Sequence, residues 1–365
     1  MAVLSPEERA ALHDAVTRLL AAKSTEADVR RTMETECGYD SDLWAQLAEM
    51  GIAGLIVPEE FGGAGAGPVE LETVMEAAGA ALLCAPLLAS GVVAAAFLHV
   101  LGDTEAQARL LPGIANGATI ATVALTGDAG TWTPDGVAVT VTPAGRLDGT
   151  ASYVLHGHNA GVLLVLARTP DGLAAFEVDP AAPGVSIATL PTFDHTLRLA
   201  RIVFTDAPAR RLTGDAWAAA QAAIDLALVA LAGEQAGGCR RTLDFTVDYA
   251  RNRYQFGRAI GSFQAIKHMA ADLLLETESA ISAARDAAAK LADNAPDAGA
   301  AISLAAFACA DAFVKTAADS IQMHGGIAFT WAHPAHLYLR RARANAQLFG
   351  TPAFHRERYL QSLGG

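Results

Sequence analysis

The sequence predicts an α+β protein with helical ends and a β-rich middle, and three observations carry that expectation. Residues 225–250 place Leu228, Leu231, Ala232, Leu243, Val247 and Ala250 at helical spacing with no proline among them, the pattern of one long buried helix. Between residues 118 and 205 the pattern changes to short alternating runs rich in Val, Thr and Leu, which reads as a small antiparallel β-domain. The composition is 52% hydrophobic and rich in alanine, as in a well-packed, mostly helical globular protein, and 365 residues exceed the size at which one core is usual. Two or three subdomains are therefore expected.

Taken in order, Ser5-Pro6-Glu7-Glu8 is a helix start, with a capping serine and proline at the first helical position. Residues 42–50, with Leu43 and Leu47, form a short amphipathic helix, and the glycines of 51–65 then break the pattern. That glycine-rich stretch lacks the strand-turn-helix spacing and the lysine of a phosphate-binding P-loop. The expected strands are 121–125, 137–141, 161–167, 174–178 and 201–204, between Gly, Asp and Pro turns. Residues 215–363 return to helices. The long helix ends in Arg251-Asn252-Arg253-Tyr254-Gln255-Phe256-Gly257, and a second helix starts near Ser262 with Gln264 in its first turn. Two arginines two residues apart beside an aromatic suit either a helix C-terminus, through its dipole, or a clamp for phosphate oxygens.

Charge and cysteines exclude several classes. A net charge of −13 argues against a nucleic-acid partner. Cys37, Cys84, Cys239 and Cys309 are scattered without a close pair, unlike a disulfide framework or a metal knuckle. His333 with His336, and His156 with His158, could share a face, but no carboxylate or thiol cluster accompanies either pair, so no metal site is expected. No apolar run reaches the roughly 20 residues of a membrane span, and the N-terminus lacks the basic and apolar regions of a signal peptide. The expectation is a soluble, cytoplasmic protein.

The wording of two segments is more specific than their spacing. Tyr249-Ala250-Arg251-Asn252-Arg253-Tyr254-Gln255-Phe256-Gly257-Arg258 with Ile260-Gly261-Ser262-Phe263-Gln264-Ala265-Ile266-Lys267-His268, and Gln322-Met323-His324-Gly325-Gly326-Ile327-Ala328-Phe329 with Arg340 and Arg341 downstream, closely resemble signatures of the acyl-CoA dehydrogenase family. The resemblance runs over nearly the whole chain. It implies that family's fold: an N-terminal helical domain (1–117), a middle β-barrel (118–212) and a C-terminal four-helix bundle (213–365). It also implies FAD as cofactor, an acyl-CoA substrate, and an electron-transfer flavoprotein or similar acceptor as partner.

The family reaction removes two hydrogens from an acyl-CoA; a glutamate takes the α-proton while the flavin accepts the β-hydride. By resemblance, Arg253, Phe256, Gln264, Gln322, Gly325 and Gly326 contact FAD across a subunit interface, in the cofactor held by the neighbour. Arginine suits pyrophosphate, and glycines let backbone approach it. The other half of the site departs from the pattern. Phe349 stands where many members carry the catalytic glutamate before Gly-Thr, and Ala227 occupies the alternative base position on the long helix. Glu234 is the remaining candidate base, seven residues after Ala227 and so roughly 10 Å further along the helix; the commoner fate of such a buried glutamate is an ion pair with an arginine such as Arg240. In the loop that meets the flavin ring, 125–132, Thr126 alone matches cleanly. The ring-stacking segment is replaced by Asn159-Ala160-Gly161-Val162, and Trp132 is either a relocated aromatic or a packing residue.

This one-sided retention resembles the degenerate subunit of actinobacterial steroid side-chain acyl-CoA dehydrogenases, α2β2 heterotetramers with two FAD sites instead of four. Three readings follow: a chain that completes the FAD site of a distinct dehydrogenase subunit, a self-sufficient homomeric dehydrogenase using Glu234, and a flavin-free scaffold or acyl-CoA-binding protein.

Overall fold

The computed structural model describes residues 4–364. Among them the chain forms helices α1 (Pro6–Lys23), α2 (Glu26–Met33), α3 (Ser41–Glu49), α4 (Pro68–Ala80), α5 (Ala95–Leu101) and α6 (Thr104–Ala115). Strands follow: β1 (Ala121–Ala124), β2 (Val139–Val141), β3 (Leu147–Leu155), β4 (Val162–Thr169), β5 (Gly172–Val178), β6 (Val185–Thr189), β7 (Leu199–Ala207) and β8 (Arg210–Arg211). After the 37-residue α7 (Ala216–Asn252) come a hairpin of β9 (Tyr254–Gln255) and β10 (Arg258–Ala259), then α8 (Gln264–Ala292), α9 (Ala298–His324), α10 (Ala335–Asn345) and α11 (Pro352–Ser362). Contacts gather these elements into two compact units. One is Thr32–Gly67 with Cys84–Ala227; the other is Leu4–Arg31, Pro68–Leu83 and, within the described residues, 228–364. The N-terminal helices are thus shared between units that sequence order alone does not delimit.

In the first unit eight strands run in the order β6-β7-β3-β2-β4-β5-β8, with β1 added on β4. β7 shows why: Ala200, Ile202 and Phe204 are buried while their neighbours are not, the period of two that puts one face on a core. They join Leu147, Val154, Leu163, Val165 and Phe176 in one cluster. The sheet corrects the purely antiparallel expectation. β1 pairs β4 in parallel, Ala121 beside Val162 through Ala124 beside Val165, and β2 meets β4 in parallel at Thr140 and Arg168. A parallel pair needs a long connection, and the segment carrying β2 and β3 supplies it. β3 and β6 are absent from the expected strands: Asp148-Gly149-Thr150 interrupts the alternation in β3, and no residue of β6 is buried.

The second unit is held by close helix crossings. A Cβ on Gly79 would stand 1.8 Å from the Glu234 carbonyl oxygen, one on Gly237 1.9 Å from the Glu76 carbonyl oxygen, and one on Gly233 2.6 Å from that of Glu72. Gly233 and Gly237, one turn apart on α7, thus bring its backbone against that of α4. On another side of α7, Gly238 faces the Phe313 ring of α9, and the buried Thr246 and Ser320 hydroxyls meet at 2.6 Å. The C-terminal segment is helical as expected, with three long helices and two short ones, because Gly325, Pro334, Gly350 and Pro352 punctuate its end. Ser5 caps α1 as the sequence indicates, and Glu8 returns a bond to the Ser5 backbone to complete a reciprocal capping box. The helices Ala216–Asn252 and Ala298–Phe329 are long and apolar enough to cross a membrane, but 67% and 50% of their apolar windows are buried inside the molecule, as in core helices.

Candidate functional site

α7 ends at Asn252 and the chain turns back at once. In the β9–β10 pair Arg258 lies opposite Gln255 and Ala259 opposite Tyr254, leaving Phe256 and Gly257 as a two-residue loop. Both take positive φ, 54° and 75°, the backbone of a type I′ turn that favours Asn followed by Gly. A left-handed phenylalanine costs about 1–2 kcal/mol, and its ring is 93% exposed. The Phe263 ring meets it edge-on at 6.2 Å, and the Arg258 guanidinium sits 3.9 Å from the Phe263 centroid. Arg253 enters the hairpin with its backbone fixed: its N–H donates to the Tyr249 carbonyl and its carbonyl accepts from Ile260, both at 2.8 Å. Its side chain is exposed, as is that of Gln264, the first residue of α8.

The end of α9 lies on the same support. Met323 and Ile260 share an apolar cluster with Leu243, Ala250 and Leu273. Gln322 is exposed beside Met323. Gly325 takes φ 67° and ψ −146°, a conformation almost confined to glycine. A Cβ built on Gly325 or Gly326 would meet nothing within 4 Å, so a ligand can reach this backbone. The motif residues therefore present an exposed guanidinium, an exposed aromatic ring and open glycine backbone, which fits a nucleotide with its pyrophosphate.

Thr126 lies in the first unit and is buried. Its hydroxyl donates to the Thr131 carbonyl at 2.7 Å, inside its own loop. Arg201 grips Asp128 in that loop with two bonds of 2.9 and 2.8 Å, and the Ser152 hydroxyl adds a third, which together hold the carboxyl far below the usual carboxylate range. Asn159 donates to the Cys37 carbonyl at 2.7 Å. Trp132 is half-buried.

Glu234 is 5% exposed, and its Oε1 accepts from Arg341 Nη1 and from Asn345 Nδ2, both at 2.8 Å. Arg341 and Asn345 are one turn apart on α10, and Arg341 also donates to the Leu83 carbonyl at 3.1 Å. The partner is Arg341, not Arg240, whose own bond runs to Glu278. Sequence reasoning passed over Asn345, although its i+4 spacing from Arg341 is the signal of a two-point clamp. Phe349 is buried at φ 58°, ahead of Gly350 at φ 125°. Beside it a cavity of about 10 Å³, lined by Leu228, Gln235, Asn345, Leu348 and His355, has room for about one water molecule. Burial pushes the His355 imidazole down to about 4. Ala227 is also buried. Among the described residues no group of three His, Cys, Asp or Glu comes together as a metal site.

The fold and this set of motif residues belong to a known class. Residues 6–118 match the acyl-CoA dehydrogenase N-terminal domain and residues 214–364 the acyl-CoA dehydrogenase C-terminal domain. The chain belongs to the acyl-CoA dehydrogenase family. It is 35% identical to acyl-CoA dehydrogenase IpdE2 of Mycolicibacterium smegmatis, over 95% of this chain and 96% of that protein. Among solved structures it is similar to the ChsE4-ChsE5 complex from Mycobacterium tuberculosis, with a TM-score of 0.90, 31% identity and coverage of 100% of this chain and 99% of that one. A variant of the Tcur3481-Tcur3483 steroid ACAD aligns with a TM-score of 0.88 and 30% identity, over 98% of each chain.

Proposed function

We propose that this chain is one subunit of a heteromeric, FAD-dependent acyl-CoA dehydrogenase, lending its nucleotide-contacting residues to a flavin that a different subunit holds. The observation that carries the reading is the contrast between an exposed Arg253, Phe256 and Gly325-Gly326 and a base position filled by Phe349 beside a cavity of about 10 Å³. Arg253 binds pyrophosphate oxygens, the open glycine backbone admits them closely, and Phe256, Gln264 and Gln322 flank the adenosine. FAD supplies the hydride acceptor for the β-hydrogen. The α-proton goes to a carboxylate of the partner, because Phe349 and Ala227 stand at the base positions and Glu234 already accepts from two donors. The similarity to a complex of two chains and to a steroid ACAD supports a heteromer acting on a CoA thioester with a bulky, steroid-like acyl part. The enzyme works in the cytoplasm and passes electrons to an electron-transfer flavoprotein or similar acceptor.

Expression of the chain alone and together with a candidate partner subunit tests this. The expected result is colourless, inactive protein from the single chain and a yellow, active assembly carrying one FAD per two chains. Yellow and active protein from the single chain, with one FAD per chain, would overturn it. In the assembly Arg253→Ala should release FAD on dilution, with the partner chain still bound.

A further inference from the structure

A cavity of about 720 Å³ in the helical unit is distinct from the residues assigned above. It opens among α1, α4, α7 and α10, and its size falls within the roughly 300–1,000 Å³ of small-molecule pockets. Leu20, Ala77 and Leu337 give it an apolar floor. One wall is aromatic: Tyr249 stacks on His324 at 4.4 Å, and Phe245 lies 5.6 Å from His324 and 6.1 Å from His333.

The charges that line this space are unequal in what they have left to bind. Glu26 pairs with Arg30 at 2.7 Å and Glu76 with Arg285 at 3.2 Å, while Arg240 bonds Glu278. Burial lowers the affinity of His324 and His333 for a proton, so neither imidazole is a counter-charge at neutral pH. His13 lies beside Asp14 at 3.8 Å. Arg241 is different: among the described residues it makes no ion pair, and its exposed side chain hydrogen-bonds the phenol of Tyr338, which itself donates to the Ala80 carbonyl at 2.7 Å. The cavity thus carries one guanidinium without an anion, on an apolar floor and beside flat rings.

We propose that this cavity is a binding site for an amphipathic organic monoanion, a carboxylate on an apolar chain or ring body, with the carboxylate on Arg241 and the body over Leu20, Ala77 and Leu337. A small inorganic anion would leave most of 720 Å³ unfilled, and a nucleotide carrying several negative charges would find a single guanidinium without a carboxylate partner. A cation is repelled by that same group. An uncharged hydrophobe of the same shape loses the charge-assisted hydrogen bonds and binds more weakly.

The test uses the full-length chain as purified, in its assembly. 8-Anilinonaphthalene-1-sulfonate serves as the fluorescent reporter and dodecanoate as the competitor, with dodecanol as the uncharged control. The expected result is saturable binding, displaced by dodecanoate about tenfold more tightly than by dodecanol, the difference one charged hydrogen-bonded pair supplies. Arg241→Gln should remove that preference and Arg241→Lys should keep most of it, both with unchanged thermal unfolding. Ala80→Phe, which fills the cavity from α4, should abolish the dodecanoate-displaceable signal. Equal displacement by dodecanoate and dodecanol, or dodecanoate binding unaltered in both Arg241→Gln and Ala80→Phe, would overturn the assignment.

Discussion

Phe256 and Phe349 are both phenylalanines held at positive φ, 54° and 58°, and both precede a glycine. One is 93% exposed and the other 2%. Around Phe349 the helical unit spends its residues on packing: the neighbouring cavity is about 10 Å³, and Arg341 and Asn345 both donate to the Glu234 carboxylate. Backbone strain there is offset by burial of the ring. Around Phe256 no comparable burial compensates, because the ring faces water and, among the described aromatic residues, touches Phe263 alone. Strain retained without burial points to a ligand, whereas strain retained with burial needs only the fold. The turn at Phe256 is thus open to solvent, whereas the Phe349 position is packed into the core.

The largest effect is expected at the filled side. Arg341→Ala leaves the Glu234 carboxylate buried without its cation and the Leu83 carbonyl without a donor, and should cost about 3–5 kcal/mol in urea unfolding. Replacing the pair together, Glu234→Leu with Arg341→Met, should recover most of that loss. Glu234→Gln separates structure from chemistry. The expected outcome is lower stability with turnover of the assembly unchanged; a loss of roughly 10²–10⁴ in turnover at unchanged stability would make Glu234 a base after all.

A second buried carboxyl sharpens the contrast, because it has no such clamp. Glu72 on α4 is almost fully buried, with no hydrogen-bond partner for its Oε1. Burial, then the nearby Glu76 charge, pushes it up to about 7 from 4.5, and Arg285 only partly opposes this. The folded state therefore binds more protons than the unfolded chain between those values. Stability contributed by the protonated form is complete below 4.5 and is lost as pH rises towards 7, on the order of 3 kcal/mol. Unfolding measured from pH 5 to pH 8 should show this decline in the wild type. Glu72→Gln should flatten it, raising stability at pH 8; an unchanged slope in the variant would mean that Glu72 titrates normally.

How much of this was legible in the sequence depended on range. The Ser5 cap, the long α7 and the strands β1, β4, β5 and β7 follow from local spacing, and the turn after α7 and Gly325-Gly326 follow from motif wording, whereas the β9–β10 pairing does not. β3 escaped because glycine and polar residues interrupt its alternation, and the parallel pairing of β1 with β4 depends on a connection that no local pattern encodes. The Glu234–Arg341 pair joins positions 107 apart, and the large cavity draws its lining from α1, α4, α7 and α10. Such placements are set by how helices cross, at Gly79, Gly233 and Gly237, and a single sequence shows those glycines without showing what they approach.

The smallest expected effect falls on the exposed side and is decisive for that reason. Phe256→Asn gives the hairpin the Asn-Gly pair that a type I′ turn favours, relieving about 1 kcal/mol of left-handed strain. It also removes the edge-on contact with Phe263, which is worth about 0.5–1.5 kcal/mol. The two nearly cancel, so unfolding should shift by less than about 1 kcal/mol in either direction. Retention of FAD by the assembly should nonetheless fall several-fold, since the ring has been removed from the nucleotide and not from a core. A stability loss above about 2 kcal/mol with FAD retention intact would make Phe256 a packing residue like Phe349, and the strain at this turn would then have a structural cause.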